Sequence, residues 1–309
     1  MRIVFMGSPA FGLPALRWLA AAHEVVGLVT QPDRPAGRGR KLAPPPVKAL
    51  ALELGLPTIQ PSRLRDVTAM DQLRAWNPEL VVVAAFGQIL RPEILQLPAR
   101  GCVNLHASLL PRHRGAAPIP AAILAGDTET GITLMRMDEG VDTGPILAQE
   151  RLIVAADDTA LTLAAKLAEL AGATVERHLP SFCQGELPGR PQPDAGATYA
   201  PPLRKADGRL DFTLSAINLE RRVRAFNPWP GTFAIWQGQP LKVLRAQPLA
   251  ASGAPRVNPG TVFRHPEGMG AACGEGALLL VEVQPSGKRP MAGEAFLRGA
   301  PAIVGSALE

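Results

Sequence analysis

The sequence predicts an α/β protein in which an open, mostly parallel sheet is followed by a smaller, all-β part. Three observations predict this. Continuous β-branched runs recur through the first half of the chain, helical stretches separate them, and short strand patterns divided by glycine and proline fill the last third. Continuous apolar runs suit strands covered on both faces, and strands that alternate with helices favour a parallel sheet.

The first part consists of strands and helices in alternation. The predicted strands are residues 3–6, 25–29, 80–86, 102–105, 132–137 and 146–154. The predicted helices are residues 13–22, 47–54, 64–76, 119–125 and 161–179. Gly55 and Gly126 follow two of these helices directly, in the position where glycine commonly ends a helix.

The second part begins after a stretch rich in glycine and proline, in which no long regular element is expected. We predict a first domain over residues 1–188, a linker over 189–208 and a second domain over 209–309. The second domain is expected to hold one helix, 214–226, and strands at 233–236, 241–246, 261–264 and 278–283. Short strands separated by turns are typical of a small, OB-like β-barrel.

The composition predicts a cytoplasmic protein with no membrane partner. No apolar run approaches the ~20 residues that span a bilayer, and the first apolar run is too short for a secretory signal. The three cysteines, Cys102, Cys183 and Cys273, are odd in number and far apart. This spacing argues against both a disulfide framework and a metal cluster.

The net charge of +5 is unevenly placed. Residues 1–200 hold 19 basic and 19 acidic side chains, whereas residues 201–309 hold 13 and 8. The excess predicts an anionic partner for the second part, or it serves solubility alone. The stretch 31–50 holds five basic residues and one acid. It is either a mobile solvated loop or a cationic arm that orders on a polyanion, and the basic second domain favours the arm.

The residues that carry chemistry are Asn104 and His106, followed by Asp142 in a glycine-rich turn. Alternation along a strand places residues 104 and 106 on one side, near the crevice where open α/β sheets bind ligands. An amide can donate to a developing oxyanion, an imidazole can donate or shuttle a proton, and a carboxylate can hold the imidazole. We therefore predict that Asn104, His106 and Asp142 are catalytic and move an acyl unit onto an amine.

Other kinds of site are less well supported. The turn after the first strand, residues 7–12, lacks both the dinucleotide and the P-loop pattern, and no G-x-S-x-G motif of a hydrolase is present. The acidic turn 138–144 is either a solvated turn or one in which Gly140 and Gly144 let the backbone approach a flat ligand. Its carboxylates suggest a hard cation, but a single stretch supplies them, so we predict no metal.

Together these motifs resemble the folate-dependent formyltransferases, and within them the branch that acts on methionyl-tRNA. The resemblance covers essentially the whole chain and is most specific at residues 31–39, 104–119, 137–144 and 224–230. The Asn-x-His pair, the Ser-Leu-Leu-Pro run and the downstream Asp are shared across the family. The loop 33–41 and the complete second domain are similar to the tRNA-directed branch. The fold that this implies is the family's Rossmann-like sheet with a C-terminal barrel.

The resemblance implies 10-formyltetrahydrofolate as formyl donor and initiator methionyl-tRNA as acceptor, with no metal, in a protein that is usually a monomer. The donor-binding residues that it implies are Ser108, Leu109, Leu110, Pro111, Phe86, Gly87, Ile89, Leu90 and Asp138. The resemblance and the charge pattern together suggest the tRNA-binding residues Arg34, Arg38, Arg40, Lys41, Arg204, Arg221 and Arg224.

Two alternatives stay open at this point. One is a related formyltransferase that acts on an amino-sugar nucleotide or another small amine. The other is a tRNA-binding protein without catalysis, against which the intact set of Asn104, His106 and Asp142 argues.

Overall fold

The computed structural model of the protein describes residues 1–36, 41–249 and 255–309, and it divides the chain into two compact units. Unit 1 comprises Met1–Pro118, Thr128–Val154 and Leu163–Pro201. Unit 2 comprises Ile119–Asp127, Ala155–Thr162 and Pro202–Glu309. Residues 189–201, which the sequence analysis places in a linker, are therefore counted in unit 1.

Unit 1 is built around a seven-stranded sheet. In chain order its strands are β1 (Arg2–Gly7), β2 (Glu24–Val29), β3 (Arg34–Ala36), β4 (Lys41–Ala43), β5 (Thr58–Ile59), β6 (Leu80–Ala84), β7 (Cys102–His106), β8 (Arg114–Gly115), β9 (Glu129–Arg136), β10 (Ile146–Ile153) and β11 (Tyr199–Ala200). The helices of this part of the chain are α1 (Leu13–Ala22), α2 (Pro46–Glu53), α3 (Val67–Trp76), α4 (Pro92–Leu95), α5 (Pro118–Ala125) and α6 (Ala160–Gln184). Helix α5 belongs to unit 2 apart from its first residue.

The strand order in the main sheet is β10-β9-β7-β6-β1-β2-β5. Strands β5, β2, β1, β6 and β7 pair in parallel, whereas β9 pairs antiparallel with β7 on one side and with β10 on the other. The predicted mostly parallel α/β sheet is confirmed. The chain extends the sheet first to one side of β1 and then, from β6 onward, to the other. In such a sheet ligands bind outside the carboxyl ends of the strands at this switch point.

Buried apolar side chains hold the helices to this sheet. On one face, Met70, Leu73 and Trp76 of α3 join the core formed by residues of β1, β2 and β6. Gly27 on β2 makes room for the Trp76 indole, because a Cβ at position 27 would lie only 2.5 Å from the ring. The large Trp76 side chain thus packs directly on Gly27, which holds α3 against β2.

Unit 2 contains a six-stranded antiparallel sheet. Its strands are β12 (Thr232–Trp236), β13 (Gln239–Leu249), β14 (Val262–His265), β15 (Gly268–Ala272), β16 (Ala277–Pro285) and β17 (Met291–Ala292), and its helices include α7 (Ala216–Ala225) and α8 (Gly293–Gly299). The order is β12-β13-β16-β15-β14, with β17 paired to β16. The predicted second part built on short antiparallel strands is confirmed, and its described residues hold two helices where one was expected.

The C-terminal residues bond to both outer strands of this sheet. Ile235 on β12 exchanges backbone hydrogen bonds of 2.6 and 2.9 Å with Glu309. Val262 on β14 exchanges bonds of 2.9 and 2.8 Å with Ser306 and Gly305. The last five residues therefore cover edges that would otherwise carry unpaired backbone groups. This covering is compatible with the predicted OB-like barrel, which stays a prediction.

Several elements of the structure were not predicted, α4 and α8 among them, and for three differences the reason is identifiable. Strand β6 ends at Ala84, two residues early, because Ala85 has a φ of 51° and turns the chain. Helix α6 continues past Pro180, and Phe182 beyond it is still buried. Strand β15 was not predicted because its sequence, GMGAA, has no β-branched residue. Glycine is needed there, since a Cβ at Gly270 would lie 2.4 Å from a neighbouring phenyl ring.

Candidate active site

Strand β7 carries two polar side chains through the centre of the sheet of unit 1. It lies between β6 and β9, and all five of its residues are buried. Asn104 is 9% exposed and His106, at the carboxyl end of the strand, is 5% exposed. A buried amide and a buried imidazole require polar partners. The sequence supplies these partners from the turns that follow β7 and β9.

Asp142 is the partner of both side chains. It has a left-handed φ of 54° in the turn between β9 and β10. Its Oδ1 accepts a hydrogen bond of 3.3 Å from Asn104 Nδ2, and its Oδ2 lies 3.5 Å from His106 Nδ1. The backbone N–H of Gly115 also donates to Oδ2, at 2.8 Å. The amide, the imidazole and the carboxylate predicted as a group therefore meet at one place.

The imidazole of His106 is held at both nitrogens. Nε2 lies 2.9 Å from the carbonyl oxygen of His113. Because a carbonyl only accepts, Nε2 carries a hydrogen. Nδ1 faces an oxygen of the Asp142 carboxylate at 3.5 Å. The His106 ring therefore has one firm hydrogen bond, to His113, and one longer contact, to Asp142.

A hydroxyl on β9 shapes the turn that follows β7. Thr133 Oγ1 donates to the Ser108 carbonyl at 2.6 Å and accepts from Leu110 N at 3.1 Å. The Gln149 amide, on β10, donates to this same hydroxyl at 3.0 Å and to the Leu110 carbonyl at 2.9 Å. The side chain of Ser108 is buried too, and its hydroxyl donates to the Arg112 carbonyl at 2.6 Å. These bonds fix the backbone of residues 108–112.

The side chains of the predicted donor-binding run, residues 108–111, lie in different environments. Leu110 packs with Met135 and Ile146 in a small buried cluster, and its peptide bond to Pro111 is cis. Leu109 is partly buried. The run therefore presents chiefly backbone and the partly exposed Leu109 and Pro111 to a ligand.

The loop after β6 starts beside Asn104, because Val83 and Asn104 are paired across β6 and β7. The side chains of Phe86 and Leu90 are buried in the core of unit 1, whereas Ile89 is 77% exposed. Gly87 has a positive φ of 80°. Of the four residues predicted to bind the donor here, Ile89 is the apolar side chain left at the surface.

Comparison with known proteins shows the family. A formyl transferase model matches residues 1–179, and a model of the formyl transferase C-terminal domain matches residues 202–301. The methionyl-tRNA formyltransferase of Myxococcus xanthus is 52% identical over 299 residues, covering 96% of this chain and 95% of that one. That of Acidiphilium cryptum is 48% identical over 310 residues and covers all of both chains. The chain belongs to the methionyl-tRNA formyltransferase family.

Solved structures share the fold at low identity. An N-formyltransferase of Helicobacter canadensis, in complex with folinic acid and dTDP-3-aminofucose, superposes with a TM-score of 0.67 at 14% identity, covering 90% of this chain and 97% of that one. HypX of Aquifex aeolicus, in complex with tetrahydrofolic acid, gives 0.61 at 18% identity and covers 96% of this chain and 47% of that one. At these identities the likeness shows the architecture alone.

The acidic turn between β9 and β10 is held by its own atoms. The Oδ1 atom of Asp138, an exposed side chain predicted to bind the donor, accepts from Gly140 N at 3.1 Å and from Thr143 Oγ1 at 2.8 Å. A Cβ at Gly144 would lie 1.9 Å from the Arg136 carbonyl, and one at Gly140 would lie 1.9 Å from the Thr143 hydroxyl. Close packing within the protein therefore already requires both glycines, without the approach of a flat ligand.

The base of the basic loop is anchored by its one acid. Lys48 Nζ donates to both oxygens of Asp33, at 2.8 and 2.9 Å, and the Gln60 amide donates to Oδ1 at 2.7 Å. These bonds, that of Lys48 foremost, lower the pKa of the Asp33 carboxyl. Gln60 also donates to the Gln31 carbonyl at 2.8 Å, and the Gln31 amide donates to the Phe86 carbonyl at 3.2 Å. A chain of hydrogen bonds thus joins this base to the loop after β6.

The cations predicted to bind tRNA differ in their surroundings. Arg34, Lys41 and Arg204 are exposed, whereas Arg38 and Arg40 lie outside the described residues. Within unit 2, Arg224 is bound through two nitrogens to Glu220 and donates to the Asp158 carbonyl at 3.0 Å.

Arg221 is also in contact with protein atoms. Its guanidinium lies against Gly126 at the end of α5, where a Cβ would be 2.2 Å from Cζ. A cation near a helix C-terminus is stabilised by the helix dipole, so Arg221 and Arg224 have structural roles in unit 2 whatever they bind.

Within the described residues, a reactive thiol at Cys102, a metal site and a membrane-spanning helix are not supported. Burial raises the pKa of Cys102, at the start of β7, to about 12, so its thiol stays protonated near neutral pH. Over residues 1–36, 41–249 and 255–309, no three His, Cys, Asp or Glu side chains are grouped to hold a metal. Over the same ranges, no helix is both long and apolar enough to cross a bilayer.

The Thr133 hydroxyl was missed by the sequence analysis, although one polar residue inside an otherwise apolar strand is a usable sign. Thr133→Val should lower the free energy of unfolding by about 1–3 kcal/mol, because it leaves buried backbone groups at Ser108 and Leu110 without a partner. Urea unfolding measures this. Thr68→Val, at an exposed site on α3, is the matched control. Equal stability of the two variants would show that the hydroxyl does not hold the turn.

Proposed function

We propose that this chain transfers the formyl group of 10-formyltetrahydrofolate to the α-amine of initiator methionyl-tRNA, which gives N-formylmethionyl-tRNA for translation initiation. The observation that carries the proposal is the meeting of Asn104, His106 and Asp142 at the carboxyl end of β7. The family to which the chain belongs supports the same donor and acceptor.

The donor is proposed to lie at the switch point of the sheet, beside β6 and β7. The turn at residues 108–111, the loop at 86–90 and Asp138 are proposed to border this place. Reduced folate joins a pterin, which has several hydrogen-bond donors and acceptors along its edge, to an apolar aminobenzoyl ring. The backbone groups of these two segments suit the pterin edge, and the exposed Ile89 suits the apolar ring. The formyl carbon would then face Asn104 and His106.

The reaction begins when the free α-amine of the methionyl ester attacks the formyl carbon. A C–N bond forms, and the carbonyl oxygen of the formyl group becomes an oxyanion. The Asn104 amide nitrogen carries two hydrogens, and one of them is donated in a hydrogen bond to the Asp142 carboxylate. The other is proposed to donate a hydrogen bond to the oxyanion. His106 donates to it as well, from Nδ1, whose contact to Asp142 is loose at 3.5 Å.

The tetrahedral intermediate then collapses toward the product. Asp142, through a water molecule, takes the proton that the attacking amine loses. The oxyanion reforms the carbonyl, the bond between the formyl carbon and the folate nitrogen breaks, and the proton held by Asp142 passes through the same water to that nitrogen as tetrahydrofolate leaves. Asp142 thus has two tasks: it stabilises the charged form of His106, and it receives a proton.

The tRNA is proposed to be held by the loop 33–41 and by the basic face of residues 204–309. Asp33 is already neutralised by Lys48, so it does not offset the charge of the exposed Arg34 and Lys41. In unit 2, Arg204 is exposed and available to phosphate. Arg38, Arg40, Arg221 and Arg224 complete the predicted set, with the two last acting from within protein contacts.

We further propose a cytoplasmic monomer without a membrane partner. Translation initiation takes place in the cytoplasm, and both proposed substrates of the formyl transfer, the folate and the tRNA, are soluble. The first domain, residues 1–188, would carry out the chemistry. The second, residues 209–309, would bind tRNA as an OB-like barrel, with residues 189–208 between them.

The function is tested by offering the protein three acceptors with labelled 10-formyltetrahydrofolate. We expect rapid formylation of initiator methionyl-tRNA, slow formylation of elongator methionyl-tRNA and none of an amino-sugar nucleotide. Acid-stable label on the tRNA ester measures the product. Preferred formylation of the sugar would replace the proposal by that of a sugar N-formyltransferase. Binding of tRNA without any transfer would replace it by that of a non-catalytic tRNA-binding protein.

Asp142→Asn should lower the single-turnover rate on the order of 100-fold or more, because the imidazolium loses its counter-ion and the amine its proton acceptor. Donor binding, followed by titration of the folate, should stay unchanged. Asp71→Asn, which removes an exposed carboxylate on α3, serves as control. A rate equal to that of the control would remove Asp142 from the mechanism.

Arg38→Ala and Lys41→Ala should raise the KM for tRNA while leaving the dissociation constant of the donor unchanged. Each lost phosphate contact should also reduce the slope of log affinity against log salt by about one unit. Arg17→Ala, at an exposed site on α1, is the control. If the affinity for tRNA does not depend on salt in the parent protein, the idea of phosphate contacts is wrong.

A further inference from the structure

We propose that Gln192 is a positioning residue for Asp142, so that the proline-rich segment after α6 takes part in the active site. The inference rests on the proposed function, in which Asp142 is catalytic. It concerns a residue that neither the motifs nor the charge pattern singled out. The contacts that carry it all lie within unit 1.

The side chain of Gln192 spans the turn that contains Asp142. Its Nε2 donates to the carbonyl oxygen of Asp142 at 2.9 Å and to that of Gly144 at 2.7 Å. One amide group therefore bonds to the backbone on both sides of Thr143. Asp142 is the residue of this turn with a left-handed φ, which a non-glycine residue keeps only when its surroundings determine it.

Arg114 fixes which end of the Gln192 amide faces the turn. Its Nε and Nη2 donate to Gln192 Oε1 at 3.1 and 2.8 Å. Carbonyls only accept and a guanidinium only donates, so the amide has a single orientation that satisfies all four contacts. The Arg114 residue is 6% exposed and Gln192 is half-buried, so this is a partly buried charge-assisted hydrogen bond.

The same piece of chain holds the other side of Asp142. Gly115, next to Arg114, donates its backbone N–H to Asp142 Oδ2 at 2.8 Å. Strand β8 thus binds the Asp142 carboxylate directly, through Gly115, and supports the Asp142 backbone indirectly, through Arg114 and Gln192. Both ends of the segment that carries Gln192 are anchored. Arg190 exchanges two backbone bonds of 2.8 Å with Ile146, and β11 pairs with β8.

We expect substitutions of Gln192 to slow catalysis because they displace Asp142. A displacement of the carboxylate by a fraction of an ångström would loosen its contacts to Asn104 and His106 without exposing any core residue. The neighbours Pro191 and Pro193 are exposed. If Gln192 served only to pack this segment, another polar side chain at position 192 would serve equally well.

The decisive variant is Gln192→Glu. It keeps an oxygen for Arg114 but replaces the donating nitrogen by a second oxygen, which repels the two carbonyls of the turn. Gln192→Ala removes both contacts. Gln96→Glu and Gln96→Ala, at an exposed position that follows α4, are the matched controls. All four variants are compared as full-length proteins, with urea unfolding as the check on folding.

We expect kcat of both Gln192 variants to fall on the order of 10- to 100-fold while the KM for the donor stays unchanged. In an Asp142→Asn background the same substitutions should have little further effect, because a residue that acts through Asp142 has nothing left to position. A kcat equal to that of the Gln96 controls, or a full loss that adds to that of Asp142→Asn, would overturn the inference.

Hydrogen exchange tests the same inference without relying on activity. Amides of residues 139–144 should exchange faster in both Gln192 variants than in the parent, with the rest of unit 1 unchanged. Unaltered exchange in this turn would overturn the positioning role even if the parent formylates methionyl-tRNA. If the parent does not formylate methionyl-tRNA and the variants still exchange faster than the parent, the positioning contact is supported while the proposed function fails.

Discussion

The site depends on one constraint: the carboxylate of Asp142 must reach two side chains of β7 from a turn on another pair of strands. Its two oxygens face Asn104 and His106, and the Gly115 N–H binds the second oxygen. A left-handed backbone costs a non-glycine residue about 1 kcal/mol. The turn keeps this conformation because close-packed glycines and the Gln192 amide leave it little freedom. Chemistry at β7 is thus set by how firmly a surface turn is held.

Most of the fold and the centre of the site were predictable, for physical reasons that particular residues illustrate. Asn104 and His106 share a side of β7 because side chains alternate along a strand, and β7 itself is evident from its apolar run. Strand β15 escaped prediction because GMGAA has no β-branched residue and no periodic pattern, and its Gly270 is required by the space beside an aromatic ring. Helix α6 was predicted, but only as far as residue 179; it continues past Pro180, and Phe182 beyond it is still buried.

The contacts around the site were less accessible to sequence reasoning than its members. Gln192 lies among prolines and glycines, where composition predicts a linker and no local pattern points to Asp142, 50 residues earlier. Gly144 was interpreted through a ligand, although the Arg136 carbonyl alone excludes a side chain there. The charge of Arg224 suggested phosphate, but its guanidinium is bound by Glu220. Composition gives the number of charges, and only the tertiary contacts decide which of them are free.

The hydrogen bonds that link Asp33, Gln60 and Gln31 to the Phe86 carbonyl have a thermodynamic consequence. Under the proposed function, a pteridine bound against the 86–90 loop would restrain that carbonyl, and the restraint would pass along these hydrogen bonds to Asp33. Binding of an RNA acceptor arm beside Asp33 would then carry a smaller entropy penalty. Reciprocity requires the converse in equal measure: whatever factor the donor adds to the affinity for the nucleic acid, the nucleic acid returns to the donor.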